Sequence, residues 1–379
     1  MKITKVEAIP VKQPGETLLI NDSSQDSLII RISTDEGITG YGEVSSAPWV
    51  IKAIIESPVS CRVCQGLANL VVGRDPDDVH KIWEDMYIAS MYYGGFGAAI
   101  HAMSGIDIAI WDILGKAAGK PIYKLLGGKF RDRVRAYAST LMPYTPDEAA
   151  REALTWIGQG YTALKMGWGG FELGMRHSVK LVEAVRRAVG DEIDLLFDIG
   201  FIPSPDLPVE APSVIQLIQA IKPYHPYLIE EPLFPHDYDG YKVLKQSVDT
   251  RIACGENSTT RFGFKILIDY CGLDIVQPDV TRCGGITETM RIAEYAGAKR
   301  INIIPHAWSS DICIAAALQV IASISNNNLM EFCVWDTPIR REMIRNRLEV
   351  VDGYIKIPDG PGLGIDINDE AIEKYRADR

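Results

Sequence analysis

Eight short apolar runs, each separated from the next by a longer stretch, constrain this chain more than any other feature. They are Val134 to Thr140, Ala163 to Gly167, Asp194 to Asp198, Tyr227 to Glu230, Ile252 to Glu256, Asp274 to Asp279, Ile301 to His306 and Leu329 to Phe332. The intervals include helical patterns at Pro146 to Gln159 and Arg176 to Val189. Apolar runs of strand length alternating with helical patterns are what βα units demand. Eight in series predict an α/β fold, a (β/α) TIM-type barrel over residues 131–348.

A chain of 379 residues has room for more than that barrel. Residues 1–130 predict a small α+β domain. Ile3 to Val11 alternates, Leu28 to Ser33 is rich in β-branched residues, and Asp35-Glu36-Gly37 turns the chain into Ile38 to Val44. Gln13 to Ser27 is a polar loop between the first two strands. Helices follow from about Asp75 to Gly128. Asp77 is placed to cap one containing Val79, Ile82, Trp83 and Met86. Ser104 to Asp112 is apolar and is stopped by Gly119 and Pro121. The tail, 349–379, predicts a strand (Val350 to Ile357), a glycine-rich loop and a short helix, folding back on the first domain.

The net charge of −11 opposes a nucleic-acid partner and docking on anionic membranes. No stretch reaches the length expected of a transmembrane helix, and Met1-Lys2-Ile3-Thr4-Lys5 runs into alternating residues, not the apolar core of a signal peptide. Seven scattered cysteines point to a reducing cytoplasm. Cys61 and Cys64 lack the second pair or the histidines of a zinc site. An acidic chain that takes an acidic substrate needs local cations.

In a (β/α) barrel the active site lies at the carboxyl ends of the strands. Strand two ends near Lys165, three at Asp198, four at Glu230-Glu231, five at Glu256, six at Asp279, seven at His306 and eight at Glu331. Any one of these alone is more often a solvated or structural residue; seven consecutive strands with ionisable ends at one mouth are a different matter. Asp198, Glu230 and Glu256 would repel one another without a cation, and an all-oxygen set suits Mg²⁺ better than zinc. Asp279 on the strand beside His306 would orient the imidazole and raise its basicity.

Taken with Ser104 to Asp112, Ala163-Leu164-Lys165-Met166-Gly167, Ile229-Glu230-Glu231-Pro232, Gly255-Glu256-Asn257, Gln277-Pro278-Asp279, Cys283-Gly284-Gly285 and Pro305-His306, the chain resembles the mandelate racemase subgroup of the enolase superfamily over essentially its whole length. The resemblance implies a modified barrel under an N-terminal capping domain that the tail completes. It implies Asp198, Glu230 and Glu256 as Mg²⁺ ligands, His306 and Asp279 as the general-base dyad, and Glu331 as the acid that hydrogen-bonds the substrate carboxylate. Lys165 matches the first lysine of the family's Lys-x-Lys, which neutralises that carboxylate. The Gln13–Ser27 loop and the Ala47–Ser57 segment would select the substrate, with Tyr137, Trp168 and Trp308 as further candidates. A homo-oligomer, often an octamer, is implied too. Two positions depart from the pattern. Gly167 stands where the second lysine would be the opposite-face base, and strand three reads Asp198-Ile199-Gly200. The expected reaction is proton abstraction next to a carboxylate through an enediolate. Dehydration of a sugar acid to a 2-keto-3-deoxy acid comes first, then cycloisomerisation, then epimerisation; a sugar-acid binding protein is the non-enzyme alternative.

Overall fold

Alternation at the start of the chain folds into an antiparallel sheet, β1 (Ile3–Lys12), β2 (Asp26–Thr34) and β3 (Thr39–Val44), in that order. The computed structural model describes residues 1–13, 25–201, 203–204 and 206–379. The Gln13–Ser27 loop therefore lies, for residues 14–24, outside the described residues. The sheet packs on helix Ala98–Ala118. That helix corrects one expectation: at 21 residues and mean hydropathy 1.3 it is long and apolar enough to cross a membrane, but 83% of its apolar window is buried inside the protein. Asp77 does not cap the preceding helix either. Asp75 accepts the Asp77 N–H at the head of a short 3-10 turn, and the α-helix begins at Val79.

Eight parallel strands follow: β4 (Arg133–Leu141), β5 (Ala163–Gly167), β6 (Asp194–Asp198), β7 (Leu228–Glu230), β8 (Ile252–Cys254), β9 (Ile275–Val276), β10 (Asn302–Ile303) and β11 (Met330–Cys333). Each pairs with its neighbour in sequence from β4 to β10, and β11 returns to pair with β4. Between β10 and β11, the Ile303 N–H donates to the Asn326 carbonyl (2.9 Å). Asn327 Nδ2 donates to the carbonyls of Ile303 (2.8 Å) and Leu329 (2.7 Å). Tyr137, Ala163, Leu196, Leu228, Ala253, Ile275, Ile304 and Leu329, one from each strand or its flank, form a buried cluster of their own. The intervening residues, such as Leu164 and Met166, face the larger core beneath the helices, as a period of two requires.

Several strands are shorter than predicted. Gly255, at φ +141°, ends β8, and Pro278 and Pro305, which lack a backbone N–H, follow β9 and β10. Glu256, Asp279 and His306 therefore sit on the turns beyond.

The tail starts as a hairpin, not one strand: β12 (Val350–Val351) and β13 (Tyr354–Lys356) join through Asp352 and Gly353, both at positive φ, the Asp-Gly signature of a tight hairpin turn. β13 adds to β4, so this part of the tail joins the parallel sheet and not the N-terminal one. Helix Asp369–Tyr375 is what reaches back: Arg31 donates to Asp369 (3.2 Å) and Glu373 (3.1 Å).

Two of the sequence motifs meet across the two parts. The Gly284 N–H donates to Ser104 Oγ (2.8 Å) and the Thr287 N–H to Asp107 Oδ2 (2.9 Å). Gly285 has φ +80°, and a Cβ there would lie 2.5 Å from Asp107 Cβ. Only glycine permits that approach.

Candidate active site

Two residues along each strand, the apolar interior layer becomes a chemical one. Ser139, Lys165, Asp198, Glu230, Gln277, His306 and Glu331 stand two positions after Tyr137, Ala163, Leu196, Leu228, Ile275, Ile304 and Leu329. On β8 the same step lands on Gly255, and Glu256 follows it. Of this layer, Ser139, Lys165, Asp198 and His306 line a cavity of about 80 Å³, together with Glu256, Trp168 and Arg282 among others.

His306 Nδ1 lies 2.8 Å from Asp279 Oδ2. The other Asp279 oxygen accepts the Thr281 N–H (2.7 Å) and hydroxyl (2.6 Å). Burial opposes the Asp279 charge, but His306 and Arg282 still hold its pKa below the usual value. An ionised Asp279 accepts a hydrogen bond from Nδ1–H and leaves Nε2 facing the cavity. There Nε2 lies 3.4 Å from Glu256 Oε2. Burial disfavours the imidazolium, yet Glu256, Glu331 and Asp279 outweigh it and raise the pKa to about 9.

Lys165 Nζ bridges Glu230 Oε1 and Glu331 Oε1 at 2.7 Å each. Burial works against its charge, but those acids hold its pKa well above the ordinary value. Glu331 is fully buried and also accepts from Ser139 Oγ (2.7 Å) and the Ala307 N–H (2.6 Å). Despite burial, Lys165 and His306 pull its pKa down to about 2. The geometry makes it a brace for Lys165 and for the backbone just after His306.

Asp198, Glu230 and Glu256 each offer an oxygen, and the three lie within 4.8 Å of one another. Glu231 turns away and accepts from Cys254 Sγ, the Gly255 N–H and Asn257 Nδ2. Burial first, then repulsion from Glu230 and Glu256, pushes Asp198 well above the carboxylate range. Counting Glu231, Asp279 and Glu331, the acids outnumber Lys165, Arg282 and His306 together. That excess fits a divalent cation held by three hard oxygen donors.

Trp168 lines the same cavity. Its backbone is at φ +56°, a strained conformation for a non-glycine residue. The strain puts the indole N–H on Asp198 Oδ2 (3.1 Å) and the ring against Gly200, where a Cβ would come within 2.9 Å of it. Gly167 and Gly200, the two departures, are thus the places where Asp198 and this indole need room. Of the other aromatic candidates, Trp308 lines the cavity. Tyr137 lies in the apolar layer below, with Lys165 Nζ 5.9 Å from its ring centroid. Sequence reasoning missed Arg282, which donates to the Ser45 carbonyl (2.6 Å) and reaches Glu256 (3.4 Å) and Asp279 (3.5 Å). Its signal was its place three residues after Asp279, one turn on.

Residues 2–127 match the mandelate racemase / muconate lactonizing enzyme N-terminal domain, and residues 148–371 match the enolase C-terminal domain-like family. The chain belongs to the enolase superfamily. Within the superfamily it is 31% identical to a D-galactarolactone cycloisomerase of Agrobacterium fabrum, covering 99% of each chain. It is 32% identical to a D-galactonate dehydratase of Ralstonia nicotianae, covering 92% of this chain and 91% of that one. The solved 3,6-anhydro-D-galactonate cycloisomerase of Zobellia galactanivorans superimposes with TM-score 0.89 at 30% identity over the full length of both. This superfamily member is an enzyme, a lyase or an isomerase, as they are.

Proposed function

We propose that this enzyme removes the proton next to the carboxylate of a sugar acid, with loss of the β-hydroxyl to give a 2-keto-3-deoxy acid. The observation that carries the reading is the His306–Asp279 pair beside the Asp198, Glu230 and Glu256 oxygens, with His306 Nε2 3.4 Å from Glu256, and no proton carrier at Gly167. We read the eight-stranded sheet as a closed (β/α) barrel, residues 131–348, with residues 1–130 as its cap and 349–379 spanning both.

In this reading Asp198, Glu230 and Glu256 would hold Mg²⁺, which would supply positive charge to the substrate carboxylate. Lys165, fixed between Glu230 and Glu331, adds charge on the same side. With a cation offsetting Glu256, the largest of the charges that raise its pKa, His306 Nε2 would be free to take the α-proton, and Asp279 would stabilise the imidazolium. His306 then returns the proton to the β-hydroxyl on the same face. The C–O bond breaks, water leaves, and the enol becomes the ketone.

A second reading, cycloisomerisation of a lactone or anhydro acid, is favoured by the two full-length cycloisomerase relatives. Incubation with Mg²⁺ in D₂O, followed by NMR, tests both, with D-galactonate, D-galactarolactone and 3,6-anhydro-D-galactonate as first substrates in a sugar-acid panel. Dehydration gives a keto acid, and cycloisomerisation gives a ring change. Across such a panel, an absence of metal-dependent α-proton exchange would refute the proposal. Rapid exchange from both C2 epimers with interconversion would point to a second base. Assembly as a homo-oligomer remains part of the proposal, and light scattering after size exclusion reads it directly.

A further inference from the structure

Both members of the His306–Asp279 pair are held from outside the parallel sheet by one short stretch at the end of β3. Glu43 is fully buried. It accepts from Ser309 Oγ (2.8 Å), Ser310 Oγ (2.7 Å) and the Cys313 N–H (2.9 Å), and from Ser27 Oγ (2.7 Å). Ser309 and Ser310 follow His306 by three and four residues, and Cys313 lies in the first turn of helix Asp311–Ser323. A carboxylate at a helix N-terminus is favourably placed, and here it pins the segment that leads away from the imidazole.

Two residues on, Ser45 serves the other arm. Its carbonyl accepts from Arg282 Nε (2.6 Å), its hydroxyl from Arg282 Nη2 (3.2 Å), and its N–H donates to Thr281 Oγ1 (3.3 Å). Thr281 donates twice to Asp279 Oδ1, and Arg282 Nε lies 3.5 Å from Asp279 Oδ2. Ser45 is the first residue past β3, so the end of one strand reaches both arms. Simple docking of the two parts of the chain would be served by apolar contact. A buried carboxylate must instead be satisfied by specific partners, and the hydroxyls it takes are those just after His306.

We propose that Glu43 and Ser45 are positioning residues. The end of β3 sets the alignment of His306 against Asp279, so the pair is assembled only when the N-terminal sheet is docked. This rests on the reading of His306 as the base.

The test uses the Mg²⁺-loaded full chain labelled with ¹⁵N-histidine, the His306 signals being those lost in His306→Asn. The readout is solvent exchange of the His306 Nδ1 proton. Glu43→Ala should speed exchange by about tenfold or more, the scale of one lost charge-assisted hydrogen bond. Glu43→Gln, which keeps the volume but cannot accept all four donors, should fall between. Ser45→Ala should have a smaller effect, since its carbonyl contact survives. Ile32→Ala, in the apolar core beside β3, destabilises the same part without touching either arm and should leave the exchange rate unchanged. Unaltered exchange in Glu43→Ala, or an equal rise in Ile32→Ala, would overturn the proposal. Should Glu43→Ala not fold, Glu43→Gln decides it by the same criteria. Substrate α-proton exchange that survives His306→Asn would instead remove the base reading, while the imidazole signal would still report the clamp.

Discussion

Replacing Gly167 by alanine should damage the carboxylate cluster without touching a charged group. Gly167 is paired with Asp198 across the β5–β6 ladder. A Cβ on it would lie 2.6 Å from Asp198 Cβ, 2.9 Å from its carbonyl oxygen and 3.0 Å from Cγ. Non-bonded carbons prefer about 3.5–4.0 Å, so a shift approaching ~1 Å is required. The backbone has little freedom to supply it: the Gly167 carbonyl accepts from Met142 (2.6 Å) and the Asp198 carbonyl from Trp168 (2.9 Å). The Asp198 side chain must therefore move, although its two oxygens are held by Trp168 Nε1 and the Gly200 N–H. Overpacking of this kind costs about 1–3 kcal/mol in stability, and disturbing the support of a metal ligand typically lowers affinity about 10–100-fold. Titration calorimetry with Mg²⁺ on Gly167→Ala should show a loss in that range, together with a lower melting temperature. Wild-type affinity in the variant would refute the argument, and a lower melting temperature with affinity intact would show that the strain is relieved away from Asp198.

His306→Asn and Asp279→Asn should each lower substrate α-proton exchange by about 10²–10⁴-fold in a folded protein; most of the activity surviving in His306→Asn would place the base elsewhere. Trp168→Phe removes the indole N–H that Asp198 Oδ2 accepts, and Mg²⁺ titration should read a loss of about tenfold, as for one charge-assisted hydrogen bond; unchanged affinity would remove Trp168 from the support of that ligand. Asp107 is a stability test with a definite sign. Burial raises its pKa to about 7 in the folded protein, so the wild type loses stability as pH rises from about 4 through 7, by up to ~4 kcal/mol at 1.36 kcal/mol per unit. The melting temperature of Asp107→Asn minus that of the wild type should therefore be more positive at pH 8.5 than at pH 4.5, and an equal difference at both would refute the charge argument.

How much of this was legible in the sequence follows from what each residue's placement depends on. The order of the parallel strands and the ionisable residue after each came from local periodicity, because the apolar layer and the chemical layer are two residues apart on the same strand. Lys165 follows Ala163, Glu230 follows Leu228 and His306 follows Ile304 on that rule. Strand ends were less legible because Gly255, Pro278 and Pro305 cut the ladders short, which a count of apolar residues does not register. The hairpin at Asp352-Gly353 was missed even though its turn signal was present, since one long apolar run was read through it.

What periodicity could not supply was anything set by contact between distant segments. Arg282 is defined by Ser45, 237 positions away, and Glu43 by Ser310, 267 positions away. The partners of Glu331 belong to the same class. The resemblance implies that it meets the substrate carboxylate; the fold adds that Lys165, Ser139 and the Ala307 N–H converge on it. The departures at 167 and 200 likewise changed meaning once seen in space. In sequence they were a missing lysine and a missing polar group. In the fold they are the clearance that Asp198 and the Trp168 indole occupy. A lysine restored at position 167 would have to displace the carboxylate beside it before it could serve as a second base.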